Sequence, residues 1–102
     1  MQANEYQQWC RRFDNHGVDP ELALVFGLTA EAGEVAGEYE KWMRANGPQL
    51  DEVQERVALE LGDVLWNVAR LADELGYSLE DLFQMNINKL VKRYEERGLE
   101  IK

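Results

Sequence analysis

Two acidic pairs share one spacing in this chain: Glu31 with Glu34, and Glu60 with Asp63. Residues three apart stand side by side on a helix, so each pair would present two carboxylates to one face. Glu38 follows one turn beyond Glu34. Brought together, such groups repel. Two like charges about 5 Å apart cost about 3 kcal/mol at an effective dielectric of about 20. Several such pairs would cancel much of a small domain's stability of about 5–15 kcal/mol. A cluster of this kind takes up protons, stays hydrated or binds cations. Carboxylate oxygens alone suit hard ions, Mg²⁺ or Mn²⁺.

Whether the pairs meet depends on the elements that carry them. Sustained period-two alternation is absent, and the apolar residues recur at helical spacing. Four helices are expected, over about Asn4–Asp14, Pro20–Ala45, Leu50–Leu75 and Ser78–Arg97. Tyr6, Trp9, Cys10 and Phe13 form one face of the first, which stops at Asn15-His16-Gly17. Asp19-Pro20-Glu21 opens the second with a cap residue and a first-turn proline. Asn46-Gly47-Pro48 closes it. Gly76 stops the third, and Ser78-Leu79-Glu80-Asp81 opens the fourth with a capping box. Helices two and three would each be about 38 Å long at about 1.5 Å per residue. Long helices joined by short loops predict an all-α, four-helix-bundle-type fold in a single domain over residues 1–102.

The phase of those helices decides the fate of the acids. Leu24, Leu28, Val35 and Trp42 share one stripe of helix two; Glu31 and Glu38 fall within it and Glu34 at its edge. Val53, Val57, Val64 and Leu71 mark the stripe of helix three, with Glu60 and Asn67 inside it and Asp63 at its edge. Each long helix therefore turns acids toward its buried side, and facing helices would bring four carboxylates together. The alternative is an ordinary hydrated face. Gly33, Gly37 and Gly62 sit beside the acids, each at a cost of about 1 kcal/mol relative to alanine. They are expected to permit close backbone approach or to leave room for a ligand. A Glu-x-x-His di-iron site is excluded, because the single histidine, His16, lies in a loop.

Composition narrows the function further. Twenty acidic residues against 11 basic ones give a formal net charge of -9, which argues against holding nucleic acid by general phosphate attraction. It leaves room for an anionic small molecule, since a bound cation inverts the local charge of an acidic pocket. Cys10 is the only cysteine, so no internal disulfide and no multi-cysteine zinc site can form. No apolar run approaches the length of a signal peptide or membrane span. A cytoplasmic protein with no membrane partner is expected.

Three segments together resemble the MazG-like nucleotide pyrophosphohydrolases: GLTAEAGEVAGEYEK from Gly27, ELGDVLWNVARLADELGYSLEDL from Glu60, and NINKLVKRYEERG from Asn86. With the aromatic first helix the likeness covers nearly the whole chain. The resemblance implies a helical homodimer or homotetramer that hydrolyses nucleoside triphosphates to monophosphate and pyrophosphate with Mg²⁺. It makes Glu31, Glu34, Glu60 and Asp63 the metal ligands; Ala30 stands where the family pattern has a further glutamate. Glu34 and Glu38 are the candidates for taking a proton from water. Lys89 and Arg93, four apart on helix four, resemble the family's phosphate-binding pair, with Asn86 as a polar contact; near a helix end, such cations also serve as dipole partners. Trp9, Trp42 and Trp66 are available to stack on a base and Asn67 to hydrogen-bond sugar or base, although aromatics at helical spacing commonly build core. Two other readings stay open beside that of a plain structural dimer, which Mg²⁺ would not stabilise. One is a related enzyme acting on phosphoribosyl-ATP or a deoxyuridine nucleotide. The other is a metal-binding helical adaptor without turnover.

Overall fold

The computed structural model describes residues 1–14, 17, 19–44 and 46–102. Among them the chain is all-α, as expected: α1 (Ala3–Cys10), α2 (Pro20–Met43), α3 (Leu50–Glu74) and α4 (Leu79–Glu96), with a short 3₁₀ turn, Arg11–Phe13, after α1. Asn15 and His16 of the expected helix stop, and Ala45 at the expected end of helix two, lie outside the described residues. The caps act as their residue types dictate. The Asp19 side chain accepts from Leu22 N–H over 3.0 Å. Ser78 and Asp81 close a reciprocal capping box. Gly76 ends α3 with φ +85°, a conformation that costs glycine nothing.

The first helix is shorter than its periodicity suggests. Its α-helical part ends at Cys10, and Asp14 is extended. The reason is tertiary: both Asp14 carboxylate oxygens are held by the Arg70 guanidinium on α3. Arg70 is 4% exposed and also binds Asp73 at 2.7 Å and Glu74 at 3.1 Å. Gln7, on the opposite flank, is buried. It donates to the Ala69 and Tyr77 carbonyls and accepts from Leu79 N–H. α1 is thus fixed across the end of α3 and the start of α4 by a buried amide and an arginine fork as much as by Cys10, Ala69 and Leu79.

The centre of the molecule is the antiparallel pair α2–α3. Its side-chain contacts follow one register: Gly27 opposite Asn67, Glu31 opposite Asp63, Glu34 opposite Glu60, Glu38 opposite Arg56. Each step takes α2 one turn forward and α3 one turn back. Among the described residues, buried apolar ones are few: Cys10, Leu24, Val53, Val57, Ala69, Ala72 and Leu79. Phe83, Ile87, Leu90 and Tyr94 on α4 stay exposed, as do Val25, Phe26, Leu61 and Leu65 on the central pair. The chain exposes 7838 Å², about a third more than the roughly 5,900 Å² of a compact monomer of its mass. Its radius of gyration, 17.0 Å, exceeds the roughly 13 Å of a compact domain of this length.

Candidate functional site

Glu31, Glu60 and Asp63 each place a carboxylate oxygen within 4.8 Å of the others. Two helices suffice for this: α2 supplies Glu31, and α3 supplies Glu60 and Asp63 from adjacent turns of one face. Oε2 of Glu31 and Oε2 of Glu60 are buried and have no hydrogen-bond partner among the described residues. A buried, unsatisfied carboxylate oxygen is costly. Burial, hydrogen bonding with Glu34 that only the protonated form can make, and the charges of Glu34 and Glu31 push Glu60 up to about 7. The trio therefore calls for a proton or a cation. An all-oxygen donor set with two orphaned oxygens fits a hard divalent ion. Glu34, the fourth expected ligand, is exposed and interacts with Glu60 but is not one of the three whose oxygens converge.

Glu38, expected as one of two proton acceptors, is spoken for. Its buried carboxylate accepts from Arg56 at 2.9 Å and from Lys41 at 3.3 Å. Burial alone would raise its pKa, but those hydrogen bonds and positive charges outweigh it and hold the group below the ordinary glutamate value. A carboxylate with both oxygens on cations and a lowered pKa is a poor base at neutral pH.

Beside the acids a pocket of about 400 Å³ opens, lined by Gly27, Glu31, Asp63, Trp66, Asn67 and Arg70 among others. Asn67 is 6% exposed and donates to the Asp63 carbonyl over 2.9 Å; its side-chain oxygen lies where a Cβ on Gly27 would be. Trp66 packs against the Cys10–Ala69–Leu79 core while its Nε1–H, buried, finds no partner among the described residues. Close approach occurs at Gly27; at Gly33, Gly37 and Gly62 a Cβ would meet open space, so of the two roles expected of them, close approach or room for a ligand, the first is absent. Trp9 stacks on Tyr6 and meets Phe13 at a tilt outside this pocket, and Trp42 is 43% exposed near the end of α2. Asn86, Lys89 and Arg93 are exposed on α4 and line neither the pocket nor the acid cluster. Arg70 and Gly27 escaped the sequence reading, although Arg70 lies one turn beyond Asn67 on the same face of α3.

The profile of the MazG nucleotide pyrophosphohydrolase domain matches residues 20–98, which takes in α2, α3 and α4 and every carboxylate of the cluster. The chain belongs to this family. The MazG domain is similar to two curated proteins. The Gene 37 protein of Mycobacterium phage L5 is 40% identical over 77 residues, covering 74% of this chain and 67% of that protein. The Uncharacterized protein YvdC of Bacillus subtilis (strain 168) is 32% identical over 105 residues, covering 93% of this chain and 98% of that protein. No solved structure matches. In this MazG chain the acid cluster lies on the α2–α3 seam. α1 and Asp14 lie outside the matched span and are fixed to the end of α3 and the start of α4 through Gln7 and Arg70. No helix is long and apolar enough to cross a membrane among the described residues.

Proposed function

We propose that this chain is a Mg²⁺-dependent nucleoside triphosphate pyrophosphohydrolase that releases a nucleoside monophosphate and pyrophosphate, and that it serves nucleotide-pool house-cleaning in the cytoplasm. The observation that carries the reading is the pair of orphaned, buried oxygens of Glu31 and Glu60 beside Asp63 in a MazG domain. Glu31, Glu34, Glu60 and Asp63 hold Mg²⁺, or Mn²⁺ in its place. The cation, when bound, offsets the cluster's charge against the triphosphate, polarises the phosphoryl group and makes water a better nucleophile. Glu34, exposed as Asp63 is, accepts the attacking water's proton. The nucleoside enters the Trp66–Asn67 pocket. Trp66 Nε1–H offers a donor that no described residue uses, and Asn67 is held by the Asp63 carbonyl in the space left by Gly27.

The working form is a homodimer or a pair of homodimers. The surface in excess of a compact monomer is of the size that homodimer interfaces bury, about 1,000 Å² or more per partner. The exposed stripe Phe83, Ile87, Leu90 and Tyr94 accounts for part of it. Docking α4 on a second copy brings Asn86, Lys89 and Arg93 to the neighbouring seam as phosphate contacts.

The deciding experiment incubates the protein with each NTP and dNTP, with and without Mg²⁺, and identifies the products. Monophosphate plus pyrophosphate, only with metal, is expected. Release of diphosphate and orthophosphate would move the cleavage site and end this reading. Turnover confined to phosphoribosyl-ATP or a deoxyuridine nucleotide would reassign the substrate. Metal-dependent stabilisation without any turnover would favour the adaptor.

A further inference from the structure

The α2–α3 seam continues past the acids, and one turn beyond Glu34 and Glu60 it changes sign. Arg56 Nε donates to Glu38 Oε2 at 2.9 Å, and Lys41 Nζ donates to Oε1 at 3.3 Å. Only Nε of Arg56 is engaged among the described residues, and its side chain is 43% exposed. Arg56, Lys41 and Arg44 line a cleft of about 420 Å³ at the α2–α3 turn. The turn that frames it is tight: Gly47 N–H donates to the Arg44 carbonyl over 3.0 Å, and a Cβ on Gly47 would collide with the Lys41 carbonyl. Glu40 takes up Arg44 at 2.7 Å and Glu38 is shared by Lys41 and Arg56, so in a chain of net charge -9 this opening keeps a small positive excess, and Arg56 keeps guanidinium nitrogens that no described carboxylate takes.

We propose that Arg56, assisted by Lys41, receives the terminal phosphates of the substrate and holds the departing pyrophosphate, with Glu38 as the positioning residue that aims the guanidinium. The inference rests on the pyrophosphohydrolase reading and gives the substrate a direction along the seam. Arg56 lies about 16 Å from Asn67 along α3 at about 1.5 Å per residue, with the carboxylates between them. A nucleoside at Trp66 and Asn67 therefore sets the α-phosphate at the acids and the terminal phosphates at Arg56. The planar fork of a guanidinium suits bidentate phosphate binding, and Glu38 occupies only one of its nitrogens. The opposite orientation fails on chemistry. It would place the phosphates by Arg70, whose nitrogens already serve Asp14, Asp73 and Glu74, and the base in a cleft of three cations.

The test is steady-state kinetics with Mg²⁺ and product inhibition, on wild type, Arg56→Gln, Arg56→Lys and Lys41→Gln, each checked for native helicity. The subsite predicts that Arg56→Gln raises KM for the preferred triphosphate by roughly tenfold with kcat changed by less than about threefold. Inhibition by pyrophosphate should weaken by a similar factor, while inhibition by the nucleoside monophosphate stays at the wild-type value. Arg56→Lys should recover part of the loss, and Lys41→Gln should show a smaller effect of the same kind. Unchanged KM and pyrophosphate inhibition in Arg56→Gln would overturn the inference and leave the pyrophosphohydrolase reading standing. So would equal weakening of both products, which marks a general loosening of the seam. A wild type that hydrolyses no nucleotide removes the reading itself, and this inference with it.

Discussion

Glu60 carries the clearest pH signature in the molecule. Its value of about 7 lies above the ordinary 4.5, so the folded protein binds this proton more tightly than the unfolded chain. The stability linked to it is fully present below about 4.5 and is lost as pH rises through about 7. Metal-free protein should accordingly gain thermal stability on acidification across that window, and Glu60→Gln should flatten the gain. Mg²⁺ competes for the same oxygens, so its affinity should rise with pH over the same range; calorimetric titration at pH 6 and 8 measures it. Asp63→Asn and Glu34→Gln should each lower turnover about 100-fold or more and diminish the Mg²⁺-dependent shift in melting temperature. Glu55→Gln, exposed on the outer side of α3, should match wild type in both.

The α2–α3 register makes two predictions of its own. Alanine in place of a helix-interior glycine ordinarily stabilises by about 1 kcal/mol. Gly27→Ala should do the reverse, by about 1–3 kcal/mol, because the new methyl displaces Asn67 and breaks its bond to the Asp63 carbonyl. Urea denaturation gives the sign, and weakened nucleotide binding should accompany it. Arg70→Met leaves Asp14 and Asp73 without their shared cation and should cost about 3–5 kcal/mol. Part of that loss is pH-dependent. The Arg11 hydrogen bond and the Arg11 and Arg70 charges hold Asp73 below the ordinary aspartate value of 3.8, against burial. Its contribution is present above 3.8 and is lost as pH falls through the lower folded value.

At the level of the whole chain, exposed apolar surface is the dominant feature. Seven buried apolar residues among the described ones are a thin core, and the apolar stripe of α4 is uncovered within one copy. Light scattering should find a dimer or larger at micromolar concentration. Ile87→Glu, which leaves every carboxylate of the seam in place, should shift the protein toward monomer and lower turnover at least about tenfold, because the phosphate contacts of α4 then reach no seam. If this variant stays fully active as a monomer, Lys89 and Arg93 take no part in the reaction.

The sequence alone specified the all-α class, the approximate helix bounds and the inward turn of Glu31 and Glu60, because these follow from local chemistry: period 3.6, cap residues, glycine stops. It also placed Asn67 on the buried face. What required tertiary structure was pairing. That Glu38 is consumed by Arg56, that Asp14 ends the first helix by binding Arg70, and that Gly27 rather than Gly33 is where atoms crowd all depend on the offset between α2 and α3. Periodicity says which face a residue occupies but not which residue stands opposite. That offset is set by the packing of two long helices against each other, and no local rule contains it.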